Sequence, residues 1–179
     1  NGKNAPNPAI EAGKVMLIQR DGSNPLGPRP FPVTPKIQAI GIRNPFDIAQ
    51  NPFDPEKRFA LGDTGTDQND RFLYGTLIAA SGARPVDFNW NGTKESLEKA
   101  APDRNAPGNP DMVLYRWDPT ETLDDIVFWK GGVAGLPESN AKESLVLMSL
   151  WGKTGSTENT PGRKIALGRL TGLDAQPKL

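Results

Sequence analysis

Cysteine and histidine are both absent from the 179 residues. Without cysteine there is no disulfide framework, no thiolate metal site and no thiol nucleophile. Without histidine the chain lacks the commonest general base near neutral pH, the commonest zinc ligand, and any Ser-His-Asp triad. An excess of either charge is missing too: Lys+Arg and Asp+Glu both number 21, so no basic face is available for nucleic acid or an anionic membrane surface. No apolar run approaches the roughly 18 residues of a membrane-spanning helix, and the opening NGKNAPNPAI has neither a charged n-region nor an apolar h-region.

Helix is scarce. Its one signal is KESLEKAA at 94–101, with Thr93 placed to cap it and Pro102 just past its end. Turn formers are abundant instead: Gly 19 and Pro 18 are spread along the chain, which points to short strands between many turns and to an all-β fold. Apolar and β-branched runs predict strands at 13–20, 37–42, 58–61, 71–79, 112–117, 125–130, 144–151 and 163–170. Asp21-Gly22-Ser23 reads as a turn, and 24–35, with Pro25, Pro28, Pro30, Pro32 and Pro35, as a surface connection. The turn-rich link 51–56 makes 37–42 and 58–61 neighbours in one meander, and 81–90 reads as a loop with aromatic anchors. A sandwich, a barrel and a propeller all fit this pattern.

The stretch 37–74 holds the two candidate sites for chemistry. In the first, Arg43 and Asn44 stand before Pro45, whose ring biases Asn44 towards extended geometry, so that a guanidinium and an amide are presented together. In the second, residues 62–70 (GDTGTDQND) set two glycines among oxygen-bearing side chains, a composition suited to a hard cation or to exposed carbonyls. Plainer readings stand beside both. Arg43-Asn44-Pro45 can cap a strand with its arginine in a structural ion pair, and Asp63, Asp67 and Asp70 lack EF-hand spacing and suit a solvated turn. Trp90, Trp117, Trp129 and Trp151 suit stacking on sugars or core packing, with core favoured for Trp117 and Trp129.

Gly13-Lys14-Val15-Met16-Leu17-Ile18 with Asp21-Gly22-Ser23, then Ile40-Gly41-Ile42-Arg43-Asn44-Pro45-Phe46, Gly62-Asp63-Thr64-Gly65 and Phe88-Asn89-Trp90 run in an order that resembles the soluble glucose/sorbosone dehydrogenase-like family. That family comprises six-bladed β-propellers that bind pyrroloquinoline quinone (PQQ). The resemblance resumes at 145–151 and at Gly162-Arg163-Lys164-Ile165, which look like the family's last blade. It implies a partial propeller, about three to four blades of the ring in antiparallel sheets, with residues 1–179 as the C-terminal portion.

Carried over by position, the resemblance implies that Arg43 and Asn44 face the quinone, with Arg163 as a second cationic clamp. It further implies a calcium ion held at Gly65, Thr66 and Asp67, although Thr66 departs from the family's usual residue. The implied activity is sugar oxidation, by hydride transfer from an aldose or related alcohol to the calcium-bound quinone. The histidine that takes the substrate proton in the family is not in this chain. The implied location is periplasmic or secreted, with the remaining blades or another chain at open sheet edges. A reading from a different class is a non-catalytic propeller, a binding or structural subunit of an extracellular assembly.

Overall fold

A computed structural model describes residues 14–17, 36–66, 69–76, 85–104, 106, 108–118, 120–133, 135–152, 164–174 and 176–179. The expected features at 1–12, 21–23 and 24–35, the ends of the expected strands at 13–20 and 71–79, and the start of the loop at 81–90 lie outside these residues. Among these residues are ten strands and one turn of helix: β1 (Val15–Leu17), β2 (Lys36–Ile40), β3 (Pro45–Gln50), β4 (Phe59–Asp63), β5 (Asp70–Gly75), β6 (Val86–Asp87), α1 (Lys94–Leu97), β7 (Val113–Trp117), β8 (Leu123–Trp129), β9 (Glu143–Leu150) and β10 (Lys164–Thr171). The chain is therefore all-β. The helix is shorter than expected because the Arg116 guanidinium takes the carbonyls of Leu97, Glu98 and Lys99, and Thr93 makes no side-chain cap bond.

The strands form three sheets, β1-β2-β6, β3-β4-β5-β7 and β10-β9-β8, and none of them closes on itself among the described residues. Pairing is antiparallel except where β6 runs parallel to β2 through Ala39 and Val86. The expected meander of 37–42 with 58–61 does not form, since β2 and β4 belong to different sheets. Two features of the sequence explain the correction. The segment after the Arg43-Asn44 corner is itself a strand, β3, because proline is tolerated at a strand's first residue, and this strand becomes the hairpin partner of β4. The chain changes sheets at Gly41, which has φ +71° and where a Cβ would come within 2.4 Å of Asp87 Oδ1.

Alternation along the strands gives the middle sheet two buried faces. Leu61 and Leu73 join Ala39, Val86, Phe88 and Met112 in one core against the first sheet. Ala60, Phe72 and Tyr74 join Ile126, Val146, Met148 and Leu170 in a second core against the third sheet. β5 is consequently buried at every position. Of the tryptophans expected in the core, Trp117 packs partly buried against the second cluster, whereas Trp129 is partly buried and belongs to neither core.

Register fixes which strand ends meet. Pro45 pairs with Asp63, Asp63 with Arg71, Asp70 with Trp117 and Leu123 with Leu150. The start of β3, the end of β4, the start of β5, the start of β8 and the end of β9 thus gather at one end of the stacked sheets.

Truncating Phe72 to alanine removes a fully buried ring from the second core and should cost about 3–5 kcal/mol. Urea denaturation measures this, and a loss below about 1 kcal/mol would contradict the two-core packing.

Candidate functional site

Asp63, the last residue of β4, is completely buried and divides its carboxylate between two tasks. Oδ1 accepts the backbone N–H groups of Arg43 at 3.0 Å and Asn44 at 2.8 Å. Oδ2 accepts from the buried Arg71 guanidinium, with Nε at 3.1 Å and Nη2 also bonded. Arg71 in turn donates from Nη1 to the Phe88 carbonyl at 2.5 Å. The aspartate expected in a solvated turn is therefore an internal bolt that gives the Arg43-Asn44 corner its shape. Thr64 N closes the corner by donating to the Asn44 carbonyl at 3.0 Å. Arg43 itself donates from Nη1 to the Thr64 carbonyl at 2.8 Å and lies over the Trp90 ring, 5.7 Å from its centroid.

A second buried carboxylate, Asp70, ties two loops together. Its Oδ1 accepts Gly65 N at 2.6 Å, and its Oδ2 accepts Glu121 N at 2.8 Å and Thr122 N at 2.6 Å. The loop at 121–122 then holds the end of β9, since Trp151 N donates to the Thr122 carbonyl at 3.0 Å and Gly152 N to the Glu121 carbonyl at 2.8 Å. Burial raises the Asp70 pKa; the three N–H donors oppose that shift, and the nearby Asp63 charge adds to it.

These two carboxylates frame a cavity of about 450 Å³. Arg43 and Asn44 line it from the corner before β3, and Thr64, Gly65 and Thr66 from the end of β4. Thr122 and Asp124 line it from the start of β8, while Phe46 and Trp151, each about half exposed, stand at its rim. Of the residues expected to bind, Arg43, Asn44, Gly65 and Thr66 share this one cavity; Arg163 and Asp67 lie outside the described residues. Trp151, one of the tryptophans suited to stacking or core packing, is at this cavity, and Thr64, Thr122, Asp124 and Phe46 are additions that the sequence did not single out as binding residues. Their only sequence signal was position: each lies at or beside a strand end, which becomes informative once register puts those ends together.

Three buried polar atoms in this region have no hydrogen-bond partner among the described residues: Thr64 Oγ1, Thr122 Oγ1 and Trp90 Nε1. Two belong to the cavity wall and the third lies behind Arg43. Each leaves a desolvation cost of about 1–3 kcal/mol unmet, so their concentration in one place suits a site that a polar ligand completes. The Asn44 side-chain amide also makes no hydrogen bond among the described residues.

A quinone carrying carboxylates fits this donor set in part. The cavity is large enough, and Arg43, Asn44, Thr64 and Thr122 offer hydrogen bonds, but one arginine is matched by one aspartate, Asp124. Among the described residues no group of three or more His, Cys, Asp or Glu side chains gathers as a metal set, so a cation here would depend on the carbonyls of Gly65 and Thr66. Comparison with family models, with curated proteins and with solved structures finds no match to the chain.

Replacing Asp63 by asparagine strands the buried Arg71 charge and should cost about 3–5 kcal/mol in a denaturant melt; a change within about 0.5 kcal/mol would remove Asp63 from its central role. A second expectation concerns pH. Burial lifts the Asp70 pKa above the ordinary value of about 3.9, so in the window between the two values the folded state keeps a proton that the unfolded chain has released. This contribution to stability is complete below the ordinary value, is lost as pH rises through the raised one, and is then constant. The difference in urea midpoint between the wild type and Asp70→Asn should fall with rising pH across that window, and a difference that is flat or rises would reverse the assignment.

Proposed function

We propose that the chain is the C-terminal portion of a PQQ-dependent sugar dehydrogenase-like propeller, oxidising an aldose or related alcohol by hydride transfer to the quinone. The observation that carries this reading is the convergence of Arg43, Asn44, Gly65 and Thr66 on one cavity whose walls hold unpartnered buried hydroxyls. When bound, the quinone supplies the two-electron acceptor. Arg43 and the Asn44 amide would hold its carboxylate and carbonyl oxygens, the Thr64 and Thr122 hydroxyls would hydrogen-bond to it or to the substrate, and the carbonyls of Gly65 and Thr66 would be oxygen ligands for calcium. Phe46 and Trp151 keep water from the rim. The proton acceptor is not a histidine of these 179 residues.

The partial propeller is supported by three sheets stacked through two cores, in chain order except for β6, which falls between β5 and β7 yet pairs with the first sheet. Their third member also leaves an apolar outer face. Val127, Leu147 and Leu167 form one row across β8, β9 and β10, and Val127, Leu167 and Ile165 are exposed, Ile165 by 75%. The middle sheet buries both such faces, and a further blade against the third would bury this one. In this reading the protein is exported to the periplasm or secreted.

A non-catalytic binding subunit is favoured by a different observation, the prior engagement of the Arg43 guanidinium by the Thr64 carbonyl and the Trp90 ring. Quinone binding separates the two readings. With calcium present, PQQ should quench tryptophan fluorescence, and Arg43→Ala should weaken binding by roughly 10- to 100-fold, the worth of a charge-assisted hydrogen bond. Unchanged affinity in that variant would overturn the dehydrogenase reading, and no quinone binding at all would favour the subunit.

A further inference from the structure

The backbone of Thr122 lies in the left-handed region at φ +47°. For a β-branched residue this is an outlier, costing on the order of 1–3 kcal/mol, and it persists only where the surroundings impose it. The surroundings do impose it. Asp70 Oδ2 takes the N–H groups of both Glu121 and Thr122, while the carbonyls of the same two residues accept Gly152 N and Trp151 N. One turn therefore sets a hydroxyl at the cavity wall and a tryptophan at its rim. That hydroxyl is buried, and no described residue partners it. Thr122 and Asp124 line the cavity from either side of Leu123, whose own side chain goes into the second core.

We propose that Thr122 is a ligand-contacting, specificity-determining residue, held in a strained backbone conformation by Asp70 as its positioning residue, and that the wall it forms with Asp124 and Trp151 reads a neutral hydroxylated ring. A hydroxyl both donates and accepts, the adjacent carboxylate accepts O–H donors and repels anions, and the indole offers an apolar face to the ring. A carboxylate ligand would meet repulsion on this wall, whichever groups welcomed it at Arg43. The inference rests on the reading that the cavity takes a small ligand, but it does not require that ligand to be a quinone.

The experiment uses Thr122→Gly, because glycine adopts this conformation without strain and loses only the side chain. D-glucose is titrated by tryptophan fluorescence and calorimetry, with D-glucuronate as the anionic probe and PQQ with calcium in parallel. Thr122→Gly should raise the melting temperature while weakening glucose binding about tenfold, the equivalent of one hydrogen bond. Thr122→Ser, which keeps the hydroxyl, should bind as the wild type does. Glucuronate should bind more weakly than glucose to the wild type, and Asp124→Asn should narrow that gap. The proposal is overturned if Thr122→Gly is more stable yet binds glucose unchanged, or if the wild type binds PQQ but not glucose, a result that leaves the quinone reading standing. Loss of PQQ binding alone would sink that reading and spare this one.

Discussion

A single buried carboxylate determines whether this end of the molecule has a shape at all. Asp63 is the place where the chain's change of sheet, the Arg43-Asn44 corner and the buried Arg71 meet. Removed from water, it is tolerable only because four N–H donors converge on its two oxygens. The dependence runs both ways. Arg71, fully buried, is paired with Asp63, and both backbone amides of the corner donate to the same carboxylate. The geometry of the cavity is therefore inherited from an ion pair that lies behind it.

The opposite end of the sheets carries a similar cluster with a different character. Asp54 accepts from Arg58 Nε at 2.7 Å and from the Tyr74 hydroxyl, and Asn51 donates to Tyr74 Oη and Ser144 Oγ. Burial, followed by the Asp54 carboxylate, pushes the Tyr74 phenol well above its ordinary range. Every group there has a partner, and the cluster joins the middle sheet to β9. At the cavity end, by contrast, two hydroxyls have no partner among the described residues and Thr122 is strained. Two networks of comparable size thus separate into one that locks the sheets together and one that leaves hydrogen-bonding capacity unspent, and the second is where a ligand gains most.

Strand positions were readable because apolar and β-branched runs between Gly and Pro clusters carry their own signal, so seven of the eight expected strands correspond to β2, β4, β5, β7, β8, β9 and β10, and the eighth contains β1. Two strands escaped that logic. β3 opens on proline and alternates half-buried with exposed residues, and β6 has only two residues, so neither carries a run long enough to read. The pairing of 37–42 with 58–61 failed for a related reason: closeness in sequence suggested adjacency, while an unrecognised strand took the place beside β4.

Composition and local pattern by themselves determined the all-β class, the lack of thiol and imidazole chemistry, and the presence of two polar corners at strand ends, since each depends only on residue type and nearest neighbours. Only the tertiary structure decided that those corners share a cavity, that Asp63 and Asp70 are internal bolts, and that Thr122, Asp124 and Trp151 form a second wall. The physical reason is separation along the chain: Gly65 and Thr122 are joined through Asp70, 51 and 52 residues from Glu121 and Thr122, and such pairings are set by sheet register and burial, which no local stretch of sequence encodes.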